Sequence, residues 1–317
     1  MIPSIAHFVW IGRELEYVHQ LAVASAALWG GFERVLFHHT DELDGDWNFA
    51  EIGRLPTVET RRLAPHGLLE AAGGAGLVDC YRALTRPAAQ SNLLRVALLH
   101  EAGGVYLDAD TVTRKSFAPL LWRGGVFCGE ERLVFPVGAS GLTARLRPSA
   151  IARVAVRDAL RRVPDGFRWF RRIEQQYPAR VNNAVLGGQP RHAFLRDLLA
   201  RMSAFPPERR RVRYALGTHL LQTAVAEWRG EELCVLPPSA FFPLGPEISE
   251  HWFRVRPRVE LNEVVSEETY LVHWYASVRS APHVAKLTPE FVHEHAERQL
   301  FSALALPTVE ALAARAR

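Results

Sequence analysis

The alternation of short apolar runs with longer amphipathic stretches through the first 130 residues constrains the fold most. Three runs have the length of strands: IAHFVWI (5–11), RVLFHHT (34–40) and VYLDA (105–109). Three stretches have helical length and spacing: residues 14–29, 68–84 and 88–101. Such alternation predicts an α/β fold, a mostly parallel sheet with helices on both faces.

The second half of the chain is richer in proline and in helix-like stretches, with two more strand-like runs, LCVLP (233–237) and TYLVHWY (269–275). No repeat and no convincing linker separates the two halves. We therefore expect one domain over residues 1–317, with a first part to about 135, a helical insertion over about 136–235, and a C-terminal segment over about 236–317.

Several classes of protein are disfavoured by what the sequence lacks. It has no uncharged apolar run of membrane-spanning length and no amino-terminal targeting pattern, which predicts a cytoplasmic protein. Cys80, Cys128 and Cys234 form no CxxC pair, so neither a disulfide network nor a zinc site is expected. GxGxxG and GxxxxGK loops are also missing, which disfavours dinucleotide oxidoreductases and nucleoside triphosphatases.

The positive charge is uneven along the chain, whose formal net charge is +4. Residues 145–180 concentrate arginines together with Phe167, Trp169 and Phe170. A solvated helix face is the simpler interpretation. The alternative is a docking surface for an acidic acceptor, a lipid phosphate or a membrane, which implies possible peripheral membrane contact. No nucleic-acid partner is expected, because no binding motif for one accompanies the charge.

Two aspartates follow the third apolar run, in the segment AGGVYLDADTV (102–112). On a strand, Asp108 and Asp110 point to the same side, and ligands of open α/β sheets bind where strands end. Two carboxylates about 4 Å apart repel by about 4 kcal/mol at an effective dielectric constant of about 20. A divalent cation removes that repulsion, so the pair predicts a Mg²⁺ or Mn²⁺ site.

The helix before this strand carries polar groups on one edge. Ser91, Asn92 and Arg95 share that edge by their i,i+3 and i,i+4 spacing. Gly103 and Gly104 end the helix and let the chain turn directly into the strand. Arg95 is therefore expected beside the carboxylates, either to bind a phosphate or sugar hydroxyl or to pair with Asp108.

The combined pattern resembles a known family. A polar pair, Arg95, a helix ending in Gly-Gly and then Tyr-x-Asp-x-Asp is similar to glycosyltransferase family 32 and the related large clostridial glucosylating toxins, which have the GT-A fold. The start IPSIAHFVWIG is also similar to the first strand of that group. Weaker similarity continues in VNNAVLGGQPRHAFLRDLL (181–199), LGTHLLQTAV (216–225) and YLVHWYAS (270–277).

The resemblance implies a role for each matched position. Trp10 would stack on the nucleobase, and Asn183 would reach the donor sugar. Four residues would surround the ribose and the sugar: Ser91, Asn92, Arg95 and Tyr106. The metal site would consist of four residues: Asp108, Asp110, His273 and Ser277. Asp108, Asp110 and Arg95 would form the catalytic group. Outside the resemblance, His7, His38 and His39 are expected to serve structure. Glu130 and Glu131 either face the acceptor or, as the simpler interpretation, form a pair that faces solvent.

The implied activity is a retaining, metal-dependent transfer of a hexose or N-acetylhexosamine by a bacterial, cytoplasmic enzyme. The HFVWIG stretch resembles the UDP-glucose-using toxins, which favours a UDP-sugar over GDP-mannose. The acceptor is left open among a saccharide, a lipid-linked glycan, a small natural product and a protein side chain. Two positions depart from the family pattern: Asn92 replaces an aspartate and Val278 replaces a tryptophan.

Two other functions are compatible with the same motif. YLDADTV also matches the first motif of haloacid-dehalogenase-like phosphatases, in which Asp108 would be the nucleophile. Such proteins normally begin with this motif, whereas here about a hundred residues precede it. The other alternative is a protein that binds a sugar nucleotide or glycan but transfers weakly, because Asn92 lacks the charge of the family aspartate.

Overall fold

A computed structural model describes residues 1–135, 148–210, 212–230, 232–276 and 281–315. Its strands are β1 (Ile5–Trp10), β2 (Arg34–His39), β3 (Val58–Arg62), β4 (Gly104–Leu107), β5 (Thr111–Thr113), β6 (Val126–Arg132), β7 (Ala179–Gly188), β8 (Leu233–Leu236) and β9 (Leu271–His273). Strands β1 and β2 lie within the apolar runs predicted as strands, IAHFVWI and RVLFHHT, so their bounds follow the sequence closely.

The helices before the middle of the chain are α1 (Tyr17–Trp29), α2 (Trp47–Gly53), α3 (Pro65–Gly73), α4 (Ala75–Arg82), α5 (Pro87–Ala102) and α6 (Ala118–Arg123). The later helices are α7 (Pro148–Arg162), α8 (Gly166–Ile173), α9 (Ala193–Ser203), α10 (Leu220–Glu227), α11 (Pro238–Phe241), α12 (Ala281–Val284), α13 (Pro289–His295) and α14 (Leu300–Arg315). A π-helical turn, Ala215–His219, leads directly into α10.

Seven strands form the central sheet in the order β3-β2-β1-β4-β7-β6-β8. Six of them run parallel, and β7 alone is antiparallel to its neighbours β4 and β6. Strand β5 pairs instead with β9 in a separate two-stranded sheet. The predicted fold class, an α/β fold with a mostly parallel sheet, is therefore confirmed, and its GT-A type stays a prediction.

Helices cover both faces of the central sheet, as the alternation of side chains requires. Phe8 and Leu107 pack into one core with α1 and α11, whereas Val9 and Tyr106 pack into a second core with α5 and α9. Neighbouring residues of one strand thus contribute to opposite cores, because successive side chains of a strand point to opposite faces. The strands that precede the site are consequently fixed from both sides.

The segment expected to be a helical insertion also holds a central strand. Strand β7 lies between β4 and β6, so the segment over about 136–235 contributes to the central sheet as well as supplying helices. Its Gly187 packs against Phe127 of β6 so closely that a Cβ atom would lie 2.1 Å from the ring. Glycine lowers strand propensity, which explains why the sequence pattern hid this strand. The division of the domain into three parts stays a prediction.

The two glycines after α5 set the path into β4. Gly103 has a φ of 67° and Gly104 a φ of 103°, values that favour glycine. A Cβ on Gly104 would lie 2.5 Å from the carbonyl oxygen of Ile5, because β1 and β4 pair side by side. Strand β4 ends at Leu107, and Asp108 to Asp110 form a turn rather than the continuous strand expected from VYLDA.

Two buried histidines connect β1 to β2. The Nδ1 atom of His7 lies 3.0 Å from Nε2 of His38, and Nε2 of His7 lies 2.9 Å from the carbonyl oxygen of Gly103. Burial is the main reason that the pKa of His7 falls to about 4 and that of His38 to about 3. Both side chains are therefore neutral in the folded protein, and they link the strands that carry the site.

We expect the free energy of unfolding to fall as the pH falls from about 6.5 to about 4. In that window the unfolded chain binds protons at His7 and His38 while the folded chain does not, so protonation favours unfolding. A pKa of about 4 for His7, against 6.5 unfolded, corresponds to about 3 kcal/mol. Urea denaturation at pH 7, 6, 5 and 4.5 measures the loss.

The matched control is the exposed His293. His7→Gln keeps a donor and an acceptor, and we expect it to reduce the dependence of unfolding free energy on pH, whereas His293→Gln leaves that dependence as it is. Equal stability of the parent protein at pH 7 and pH 5 would contradict the assignment of these histidines as buried neutral groups.

Candidate active site

The two-stranded sheet of β5 and β9 brings His273 close to the turn formed by Asp108 to Asp110, which we call the aspartate turn. Thr111 of β5 pairs with His273 of β9, and the Trp274 amide donates to the carbonyl oxygen of Asp110 at 3.0 Å. The Nε2 atom of His273 lies 2.9 Å from Oδ1 of Asp110. The Ala276 amide donates to Oδ2 of the same carboxylate at 2.8 Å. Asp110 therefore joins the turn to the late segment through both of its oxygens.

A buried polar cluster surrounds Asp108. The hydroxyl of Tyr106 donates to Oδ1 of Asp108 at 2.7 Å, and Ser91 Oγ lies 3.1 Å from that hydroxyl. The Nη2 atom of Arg95 lies 3.0 Å from the same carboxylate oxygen, and its guanidinium lies 4.2 Å from the centre of the Tyr106 ring. The sequence prediction that the polar edge of α5 lies beside the carboxylates is thus what the structure shows.

The two carboxylates have different electrostatic environments. Burial raises the pKa of Asp108, with Asp110 adding to the rise and Arg95 opposing it. Burial alone would also raise the pKa of Asp110, but His273, the Ala276 amide and His19 outweigh it and lower the pKa to about 2. Burial would lower the pKa of His273, yet its contacts with Asp110 and Asp108 raise it. Asp110 and His273 consequently form an ion pair when no cation is bound.

Three of the predicted metal-site residues lie together. Ligand atoms of Asp108, Asp110 and His273 all lie within 4.8 Å of one another. Carboxylate and imidazole groups are suitable ligands for Mn²⁺, and carboxylates suit Mg²⁺. The Nδ1 atom of His273 is buried and has no hydrogen-bond partner in the described part of the chain. These groups are chemically suited to a divalent cation. Ser277 and Val278 lie outside the described residues.

Arg95 has an anionic partner even though residue 92 is an asparagine and not the aspartate of the family pattern. Its Oδ1 atom accepts a hydrogen bond from Nδ2 of Asn183 at 2.8 Å, while Arg95 pairs with Asp108. Arg95 also donates through Nη1 to the carbonyl oxygen of Asn183 at 2.5 Å. The asparagine that departs from the family pattern is therefore part of a polar pair that spans α5 and β7.

A cleft of about 900 Å³ opens over these groups. All the described residues predicted for donor binding line it: Trp10, Ser91, Asn92, Arg95, Tyr106, Asp108 and Asn183. Trp10 is half-buried, packs its ring 4.4 Å from that of His19, and has an Nε1 atom without a partner among the described residues. The volume is within the range of about 300–1,000 Å³ that is usual for ligand sites.

The cleft is also lined by residues to which the sequence analysis gave no site role, among them His19 and Tyr275, and by Glu131 and Arg180. The expectation that Glu131 faces solvent is wrong. Its side chain is 1% exposed, accepts from Arg180 Nη2 at 2.7 Å, and accepts from the Tyr275 hydroxyl at 2.8 Å. Tyr275 lies two positions after His273, and residues two apart on a strand point to the same face. This spacing was the one sequence signal that Tyr275 lies beside the site.

The arginine-rich segment 145–180 makes ion pairs with later parts of the chain. Arg157 contacts Glu247 at 2.6 Å, and Arg168 contacts Glu263 at 2.7 Å. Internal pairing reduces the charge available to an external partner, and membrane contact by this segment stays a prediction. No helix among the described ranges, from 1–135 to 281–315, is long and apolar enough to cross a bilayer.

The aspartate turn lies in a segment with known relatives. Residues 68–125 match the family described as "Glycosyltransferase sugar-binding region containing DXD motif". This segment is similar to the DXD-type sugar-binding region of that family. The resemblance predicted from the sequence is thereby confirmed over α3 to α6. A comparison of the chain with curated proteins found no match.

Three solved glycosyltransferases are similar to this chain at low identity. "PaToxG Glycosyltransferase" is 14% identical, with a TM-score of 0.46 over 71% of this chain and 69% of that one. Mouse xyloside xylosyltransferase 1 in its apo form is 12% identical, with a TM-score of 0.47 over 88% and 99%. "WbbM bifunctional glycosytransferase" is 10% identical, with a TM-score of 0.49 over 99% and 52%.

Proposed function

We propose that this protein is a retaining, metal-dependent glycosyltransferase that moves a hexose or N-acetylhexosamine from a UDP-sugar to a nucleophile of its acceptor. The observation that carries the proposal is the convergence of Asp108, Asp110 and His273 at one cleft, within a segment of the DXD family. Mn²⁺ or Mg²⁺ is the proposed cofactor. A bacterial origin and a cytoplasmic location stay predictions.

The donor is proposed to lie between Trp10 and the aspartate turn. Trp10 lines the cleft and offers a ring for the nucleobase, and its buried Nε1 atom has no partner among the described residues. Arg95 and Tyr106 hold Asp108 beside the ribose, and the Asn92–Asn183 pair offers amide groups to hydroxyls of the sugar. Each of these contacts is with a part of the donor that does not react, so together they orient it.

The bond that breaks joins the anomeric carbon to the diphosphate, and negative charge develops on the leaving phosphate oxygen. A bound divalent cation supplies Lewis acidity at that oxygen. Asp110 and Asp108 are proposed to hold the cation, and His273 lies against both carboxylates. Groups fixed before the reaction need no reorganisation when the charge appears, which is the main source of catalysis at such sites.

Retention is proposed to follow attack on the same face from which the leaving group departs, with the leaving phosphate taking the acceptor proton. The buried carboxylate of Glu131 is unsuited to be a nucleophile, because Arg180 and Tyr275 already occupy its two oxygens. Detection of a sugar bound covalently to any carboxylate of the chain, by mass spectrometry after rapid quenching, would contradict this route.

A thermal-shift screen of UDP- and GDP-sugars, with and without Mn²⁺, tests the donor. A ligand that binds only the folded state raises stability by RT ln(1 + [L]/Kd), about 2.7 kcal/mol at about 100 times Kd. We expect UDP-sugars with Mn²⁺ to raise Tm the most. A larger shift with GDP-mannose would contradict the choice of nucleotide, and no metal-dependent shift with any donor would contradict the function.

Turnover assays separate the remaining alternatives. Release of UDP from a UDP-sugar in the presence of Mn²⁺ supports a transferase, whereas hydrolysis of a phosphomonoester would support the phosphatase with Asp108 as nucleophile. Donor binding without turnover would support the weakly transferring protein. The family match over residues 68–125 favours the transferase, because it assigns the aspartate motif to a sugar-binding region.

A further inference from the structure

One end of the cleft carries a group of cationic and hydroxyl side chains that the donor site does not use. We call it the arginine end, and it consists of Arg180, Arg210, Arg213, Tyr214 and Thr218. We propose that the arginine end binds an acceptor that carries a phosphate or carboxylate group. The proposal rests on the proposed function, since it names the class of acceptor that this transferase uses.

The charge at the arginine end is only partly balanced. Within the described ranges, neither Arg210 nor Arg213 has a carboxylate within 4.0 Å. Arginines elsewhere, such as Arg157 and Arg201, contact two carboxylates each. Guanidinium groups that line a cleft without a carboxylate partner attract anions, which they bind through paired hydrogen bonds.

Two buried donors at this end lack partners. The side chain of Arg180 is 12% exposed, and its Nε atom is buried without a hydrogen-bond partner in the described residues. Thr218 is 5% exposed, and its hydroxyl is likewise buried and unpartnered there. A buried polar group without a partner costs about 1–3 kcal/mol. Both residues line the cleft, so a polar ligand bound there is the partner that we propose for these atoms.

Direct contacts connect the arginine end to the aspartate cluster. His273 contacts Asp110 at 2.9 Å, and the rings of His273 and Tyr275 lie 4.2 Å apart. Tyr275 donates to Glu131 at 2.8 Å, and Arg180 contacts Glu131 at 2.7 Å. Through Arg180 the arginine end thus adjoins the proposed metal site, and this is the position that we assign to the acceptor.

Tyr214 gives this end an apolar surface beside the charges. The guanidinium of Arg213 lies 4.7 Å from the ring centre and that of Arg180 lies 5.7 Å from it. The ring is 43% exposed. An exposed aromatic ring between cations is suited to the carbon face of a sugar, with the anionic group of the same molecule held by the arginines.

Isothermal titration calorimetry on the protein saturated with UDP and Mn²⁺ tests the proposal with three probes: glucose, glucuronate and glucose 6-phosphate. We expect one or both anionic sugars to bind at least about tenfold more tightly than glucose, the effect of one charge-assisted contact. A preference for glucose 6-phosphate over glucuronate indicates a phosphate-bearing acceptor, and the reverse indicates a carboxylate-bearing one. Equal binding of all three sugars, or none, overturns the proposal.

Arg213→Gln and Arg210→Gln are expected to weaken binding of the preferred anionic sugar by about tenfold each. The matched control is Arg258→Gln, which removes a charge from a side chain that is 82% exposed and away from the cleft. Loss of UDP binding to the same extent in the Arg213 and Arg210 variants would assign these arginines to the donor and overturn the proposal. Failure of UDP to bind the parent protein would instead contradict the proposed function.

Discussion

Asp110→Asn is expected to lower kcat/KM for Mn²⁺-dependent release of UDP from a UDP-sugar by about 10³-fold. The substitution removes the negative charge that is proposed to hold the cation, while the side-chain oxygen can still accept from the Ala276 amide. A loss of several kcal/mol of transition-state stabilisation follows, because the leaving phosphate then develops its charge without the cation. Initial rates over a range of Mn²⁺ concentrations measure the effect.

The control for this variant is Asp79→Asn. Asp79 lies on α4 with its side chain 71% exposed, and the substitution makes the same change of charge. We expect it to keep the parent kcat/KM and the parent Tm shift with Mn²⁺. An Asp110→Asn protein that remains folded by circular dichroism and retains most of the metal-dependent rate would contradict the assignment of Asp110 to the cation site.

Arg95→Gln is expected to lower the free energy of unfolding by about 3 kcal/mol. Arg95 is 4% exposed, and its removal leaves the partly buried Asp108 carboxylate without its cation and the Asn183 carbonyl without a donor. A broken buried ion pair is costly because the remaining charge stays desolvated. Urea denaturation at pH 7 measures the change, with UDP binding measured on the same preparation.

A double-mutant cycle tests whether the Arg95–Asp108 ion pair accounts for the loss of unfolding free energy. Combining Arg95→Gln with Asp108→Asn removes both charges, so we expect the double variant to lose less stability than the sum of the two single variants. Arg82→Gln is the control, since Arg82 is exposed and contacts Asp79 at 3.7 Å, and exposed pairs contribute about 0–1 kcal/mol. A cost below about 1 kcal/mol for Arg95→Gln would show that the pair is not a buried one.

The first half of the fold was predictable because its strands and helices follow regular patterns. The predicted helix over 88–101 is Pro87–Ala102, and the predicted strand over 34–40 is Arg34–His39. The stretch 68–84 is two helices, because Gly74 has a φ of 76° and separates α3 from α4. These elements follow from the local sequence, and the helices α3 and α5 end at glycines.

The strands that sequence reasoning missed depend on contacts between distant residues. Strand β3 reads VETRR, a polar sequence, and it is held at the edge of the sheet by pairing with β2 and by the Arg34–Glu59 ion pair at 2.7 Å. Strand β7 contains two asparagines and ends in two glycines. Neither strand shows the apolar alternation by which a strand is recognised in a sequence. Both are strands because they pair with neighbouring strands of the sheet.

The candidate site was predicted as far as its local motifs extend. Asp108, Asp110 and Arg95 belong to one helix–turn–strand unit, so their spacing indicated that they lie together. Glu131 and Arg180 belong to strands that meet only because β7 inserts between β4 and β6. No spacing rule connects these two residues to Tyr275 or to His273, so their contacts with the site had no sequence signal.

Asp110 is held by Trp274, through its backbone oxygen, and by His273 and Ala276, through its carboxylate. The geometry of the aspartate turn is therefore an outcome of long-range folding and cannot be reproduced by any fragment that stops before Ala276. Closing so long a loop is slow compared with forming a helix. A refolding chain should for that reason recover its helical signal well before it regains the metal binding that we propose for it.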